Sequence, residues 1–189
     1  MAKACFVAAL ITVLVLAPQA RADAALTVLI DAVAERLQIA EPVAAYKWST
    51  HTPIEDPARV EQELATLRAD AEALQIDPDY PDYVATIFRD QVGATEAIEY
   101  SRFAQWKLDT AGAPPPPQDL SASRAQIDTL NTKILSQASL NWSLLRSPSC
   151  GFRLDEARTV VIRARRFDDL YQRALNAATR SYCQGQSAA

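Results

Sequence analysis

Arg36 and Lys47 are cations placed where a helix-forming segment turns its apolar side. With residues 24–48 set on a helix at about 100° per residue, Leu26, Leu29, Val33, Ala40, Val43 and Ala44 fall within one arc of roughly 100°. Arg36 and Lys47 fall near the middle of that arc, in line with Leu29, because 11 residues make close to three turns. Asp31, Glu35 and Gln38 point outward. A buried charge is costly unless it is paired, and this helix supplies no acid on the same side. The two cations therefore call for an anion brought from elsewhere.

Three further segments repeat the pattern. Over residues 79–108, Val84, Phe88, Val92, Ile98 and Trp106 define an apolar arc, while Asp82, Arg89, Asp90 and Lys107 fall outside it. Thr95 lies near the centre of this arc, Glu99 lies within it one turn later, and Glu96 sits just past its edge. Desolvation raises the pKa of a carboxyl on an apolar face, so Glu99 could donate a hydrogen bond near neutral pH. The plainer alternative is an ion pair with Arg102 or with a cation on a neighbouring helix. In the helix after Asp56, Arg59 and Glu63 flank the stripe Val60, Leu64, Leu67, Ala71 and Leu74, a spacing that also suits a surface ion pair. Arg124 stands about 60° from the centre of the stripe Ile127, Leu130, Ile134 and Leu145, and could equally be a snorkelling surface residue. Four cations against two inward acids leave a positive excess. A helical bundle carrying it would bind a small dianion or dicarboxylate between its helices.

The elements that must hold these residues are all helical. Four glycines, many alanines and 3.6-residue apolar spacing predict a single-domain, all-α bundle of about six helices. The expected spans are 24–50 (bent at Pro42), 57–75, 79–108, 121–146, 150–166 and 168–184. Asp56-Pro57 reads as an N-cap followed by proline at the first helical position. Ser121 or Asp119 caps the fourth helix. The stretch 111–118, with four consecutive prolines, reads as a stiff connector within the domain.

Residues 1–22 read as a cleaved secretory signal: Lys3, an apolar run over 6–16, and Ala20-Arg21-Ala22 before Asp23. The run is too short to span a bilayer. Residues 23–189 then form the domain, secreted or periplasmic. The leader removes two basic residues and no acidic one, leaving 17 basic against 23 acidic. That balance disfavours nucleic acid and membrane as partners. Cys5 leaves with the leader, so Cys150 and Cys183 remain as an even pair in an oxidising compartment. An internal disulfide is expected; two free thiols or an intermolecular bond are the alternatives. One histidine, His51, beside Thr50, Thr52 and Pro53 reads as a surface loop residue. No histidine-based triad, metal-ligand cluster or glycine-rich phosphate loop can be assembled, so no cofactor and no metal is expected.

The order Arg36, Lys47, Asp56-x-x-Arg59, then Thr95-x-x-x-Glu99, resembles the active-site signature of the all-helical (AroQ-type) chorismate mutases. The segments Ala34-Glu35-Arg36-Leu37, Pro42-Val-Ala-Ala-Tyr-Lys47-Trp, Pro53-Ile-Glu-Asp56, Ala94-Thr95-Glu-Ala-Ile-Glu99-Tyr-Ser-Arg-Phe103 and Leu120-Ser-Ala-Ser-Arg124 are similar to the exported subclass. The leader and the cysteine pair fit that subclass too, and the resemblance covers essentially the whole mature chain. It implies conversion of chorismate to prephenate by a concerted Claisen rearrangement, which needs no nucleophile, metal or proton transfer. It implies that Arg36, Arg59 and Arg124 grip the two substrate carboxylates, that Lys47 hydrogen-bonds the ether oxygen and a carboxylate, and that a protonated Glu99 donates to the same ether oxygen. Thr95 would support a carboxylate, Asp56 would fix local geometry and contact the substrate, and Glu63 would receive the substrate hydroxyl. Exported members carry glutamine at the position of Glu63, so here an added negative charge must be offset, with Arg59 the expected partner. A homodimer with each site inside one subunit is also implied. Isochorismate–pyruvate lyase, a sibling on the same fold, and a non-catalytic secreted binding protein are the rival readings.

Overall fold

The computed structural model describes residues 17–184, with side chains from Leu26 onward. The expected leader, residues 1–22, lies mostly outside this range and reaches it only in the first turns of a helix. Among the described residues there is no strand. The helices are α1 (Ala17–Gln38), α2 (Ala40–Thr50), α3 (Pro57–Ala73), α4 (Tyr80–Leu108), α5 (Ser121–Leu140), α6 (Trp142–Leu145), α7 (Cys150–Arg165) and α8 (Asp169–Ala178). They occupy the six regions that apolar periodicity predicts; two of the spans are interrupted, and the last helix ends at Ala178, six residues short of the expected 184.

Each interruption has a local cause. The first span breaks at Ile39, one turn before the expected bend at Pro42. Proline has no N–H for the carbonyl four residues back, and its ring crowds that carbonyl, so the break falls beside Gln38. Ile39 bonds instead to the Arg36 carbonyl at 3.2 Å, and Val43 N–H to the Ile39 carbonyl at 3.3 Å. The second break is at Asn141, whose side-chain amide donates to the Gln137 carbonyl at 2.8 Å. Local side-chain bonding of this kind competes with the helical ladder. Leu145 therefore belongs to the short α6 rather than to the stripe of α5.

α1 is the central helix. Leu26, Leu29, Ile30, Ala32, Val33, Ala34 and Leu37 are all fully buried, so its apolar surface extends well beyond the expected arc. It is packed by α5 and α7, and also by α8 and α4; a helix apolar most of the way round belongs in a core. α4, 29 residues long, runs across α2, α3 and α8. Because α8 covers its second side, Asp90, expected on the outside, is only 6% exposed. Arg180, beyond α8, donates from Nε to Asp90 Oδ1 at 2.8 Å and so compensates its charge.

Two tethers close the bundle. Cys150, at the start of α7, is disulfide-bonded to Cys183, beyond α8, with Cα atoms 5.6 Å apart. Tyr83 Oη donates to the Tyr182 carbonyl at 3.0 Å, and Tyr80 Oη to the Leu135 carbonyl at 2.9 Å. Trp142 packs edge-on against both tyrosine rings. The proline run 114–117 has neither helical nor strand structure and joins α4 to α5 within one core. His51 is exposed, caps α2 in the left-handed region at φ 57°, and opens the loop to α3.

Candidate active site

Four helices and one loop from the first half of the chain, with α5 from the second, enclose a cavity of about 180 Å³. α1 contributes Arg36; α2 contributes Val43 and Lys47; the loop contributes Pro53, Ile54 and Asp56; α3 contributes Arg59 and Glu63; α4 contributes Val92, Thr95, Glu96 and Glu99; α5 contributes Arg124 and Ile127. All eight residues singled out from the sequence line it. The break at Ile39 matters here, because it lets α1 and α2 change direction while Arg36 and Lys47 still face one space.

At one end, Arg36 is 4% exposed. Its Nη2 donates to Glu63 Oε1 at 2.8 Å and its Nε to Asn131 Oδ1 at 2.7 Å. Asn131 Nδ2 in turn donates to the same Glu63 oxygen at 2.9 Å. Burial lowers the Arg36 pKa and the Glu63 charge opposes that effect; a guanidinium remains charged in such a setting. The charge of Glu63 is thus offset by Arg36, not by Arg59 as expected. The reason is reach across the bundle: the long Arg36 side chain extends from α1 to Glu63, whereas Arg59 is exposed at the cavity mouth.

Toward the other end, Lys47 Nζ donates to Glu99 Oε2 at 2.9 Å and to the Ile54 carbonyl at 2.6 Å. Glu99 is 2% exposed. Desolvation raises its pKa, Lys47 works against that rise through charge and hydrogen bonding, and nearby Glu96 adds to it. Glu96 is itself raised, first by burial and then by Glu55, with Lys47 again opposing. Glu99 therefore pairs with a cation on a neighbouring helix and keeps an elevated pKa as well. Arg102, the other candidate partner, is bound to Glu41 at 2.7 Å.

Arg59 and Arg124 are exposed at the mouth, and neither side chain is within ion-pairing range of a carboxylate among the described residues. Asp56 caps α3 by accepting from the Arg59 amide at 3.2 Å. Thr95 donates its hydroxyl to the Gln91 carbonyl at 2.9 Å. The lining holds four cations and four carboxylates, because Asp56 and Glu96 join Glu63 and Glu99. The positive excess expected from helix faces alone is thus removed when all four acids are ionised. It returns when the raised carboxyls carry protons, and locally wherever Arg59 and Arg124 stand unpaired.

Sequence reasoning missed Asn131, and a signal was present. Ile127, Leu130, Ile134 and Ala138 mark the buried face of α5, and Asn131 lies one turn from Ile127 on that face. A polar residue on an apolar stripe is the same cue that identified Arg36.

A family model described as chorismate mutase type II matches residues 21–100. The chain is 58% identical to a secreted chorismate mutase of Mycobacterium tuberculosis over 88% of this chain and 83% of that protein. It is 47% identical to one of Mycolicibacterium smegmatis over 88% and 92%. Among solved structures, the chorismate mutase of Burkholderia thailandensis superposes with a TM-score of 0.77 at 32% identity, covering 84% of this chain and 99% of that one.

Proposed function

This chain belongs to the type II chorismate mutase family and is an isomerase of that kind; we propose that it rearranges chorismate to prephenate inside the cavity between α1, α2, α3, α4 and α5. The observation that carries the residue assignment is the convergence of Arg36, Lys47, Arg59, Arg124 and Glu99, with its raised pKa, on one enclosed space.

In the rearrangement the ether C–O bond breaks as a C–C bond forms, with no external proton, nucleophile or electron. Rate enhancement then comes from holding the reactive conformer and from stabilising negative charge that develops on the ether oxygen. Lys47 Nζ supplies one donor there. Its two present acceptors, Ile54 O and Glu99 Oε2, hold the ammonium in place and leave its third hydrogen for the substrate. Glu99 in its protonated form supplies the second donor. Arg36 anchors one carboxylate from the closed end, while Arg59 and Arg124 at the mouth take the other and exclude water around it. Planar guanidinium groups suit such bidentate contacts. Glu63 Oε1 is occupied by Arg36 and Asn131, so Oε2 is its remaining acceptor for a substrate hydroxyl. Thr95 exchanges its Gln91 carbonyl for a substrate carboxylate, and Asp56 fixes the first turn of α3 beneath Arg59.

We further propose a homodimer with one complete site per subunit, as the resemblance to the exported subclass implies. Export is proposed on the leader pattern of residues 1–22 and on relatives named as secreted. The decisive experiment is a chorismate-consumption assay on residues 23–189 with the product identified by NMR. Prephenate is expected. Pyruvate release from isochorismate without prephenate formation from chorismate would reassign the chain to the lyase reaction.

A further inference from the structure

Asn131 is 5% exposed and does not line the cavity. It lines a separate groove between α3 and α5, together with Glu63 and Arg59. Arg36, Glu63 and Asn131 thus form the partition between groove and cavity, and only the first two of the three present atoms to the substrate space. The orientation of the amide is fixed by its partners. Arg36 Nε can only donate, so Oδ1 must face it; a carboxylate can only accept, so Nδ2 must face Glu63. An amide flipped end for end would oppose donor to donor and acceptor to acceptor.

We propose that Asn131 is a positioning residue for the rearrangement: its amide locks the Arg36 guanidinium and the Glu63 carboxylate into one plane, so that Arg36 Nη1 and Glu63 Oε2 are the atoms offered to the substrate. The inference rests on the proposal that Arg36 and Glu63 contact chorismate. Arg36 and Glu63 are 27 residues apart in sequence, on different helices, and Asn131 is 68 residues beyond Glu63. No local constraint holds them in register, so the closed three-way hydrogen-bond set must do so. Networks of buried polar groups specify geometry in this way when every member is satisfied.

The test replaces the amide donor with an acceptor. In Asn131→Asp, two carboxyl groups face each other and only a shared proton restores the donor toward Glu63. The charged and titratable groups around that position are Arg36 on α1, Arg59, Glu63 and Asp70 on α3, Asp128 on α5, and Tyr182 beyond α8. Relative to wild type at the same pH, KM should rise about tenfold at pH 8, with a smaller change in kcat, and the ratio should shrink toward one as pH falls. A KM ratio that is flat with pH would overturn the proposal. If Asn131→Asp shows no cooperative melt, Asn131→Ala takes its place, with a raised KM expected and an unchanged KM overturning. A readout independent of turnover is hydrogen exchange of Arg36 Nε–H by NMR. It should be protected in wild type and rapid in Asn131→Ala; equal exchange would refute the positioning role even if the chorismate assay itself failed and sank the functional reading.

Discussion

Lys47 and Glu99, 52 residues apart in sequence, meet at 2.9 Å with the ammonium also held by the Ile54 carbonyl at 2.6 Å. The pair joins α2 to α4 and fastens the loop that leads to α3. It also sets an opposition: burial favours the neutral acid, and the ammonium favours the carboxylate. Substrate carboxylates and a developing ether oxyanion would draw Lys47 toward themselves and leave Glu99 freer to hold its proton.

The pH dependence follows from the direction of that shift. Glu99 has a pKa above the ordinary carboxylate value because of burial, so its donor form is present at low pH and lost as pH rises through the folded-state pKa. If the proton is required, kcat/KM falls over that window. Glu99→Gln, a permanent donor, should flatten the fall. Identical pH–rate profiles for the two enzymes would remove the proton from the mechanism.

Removing Lys47 tests the other half of the pair. Lys47→Ala should lower kcat/KM by more than about 10²-fold, as for loss of an oxyanion donor, with the helical circular-dichroism spectrum intact. A rate within a few-fold of wild type would exclude Lys47 from the charge-stabilising role.

The arginines should separate into two classes. Arg36→Ala strands the Glu63 carboxylate and the Asn131 carbonyl oxygen, and breaking a buried pair from one side costs about 3–5 kcal/mol. Both stability in urea and activity should drop. Arg59→Ala, at the exposed mouth, should change stability by no more than about 0.5 kcal/mol while raising KM. Comparable unfolding midpoints for the two variants would contradict the burial difference.

The Cys150–Cys183 bond closes a loop with a sequence separation of 33, worth roughly 3.5–4 kcal/mol in the chain-entropy model. Replacing both cysteines with serine should lower the unfolding free energy by about that amount in denaturant titrations. An unchanged midpoint would show that other contacts hold the C-terminal segment, among them the Tyr83–Tyr182 hydrogen bond and the Arg180–Asp90 pair.

The sequence by itself determined where the main apolar face of each helix lies and which polar groups interrupt it. Angular position about a helix axis depends only on residue number, so Arg36, Lys47, Thr95 and Glu99 were legible as polar groups on apolar faces. The family resemblance attached roles to them, and the even cysteine pair was legible by counting. Tertiary structure decided who stands opposite whom. Glu63 pairs with Arg36 rather than with its near neighbour Arg59, Asp90 is buried because α8 and Arg180 cover it, and Asn131 completes a contact set spanning three helices. Such partnerships depend on how remote helices cross, and periodicity along one helix carries no record of its neighbours.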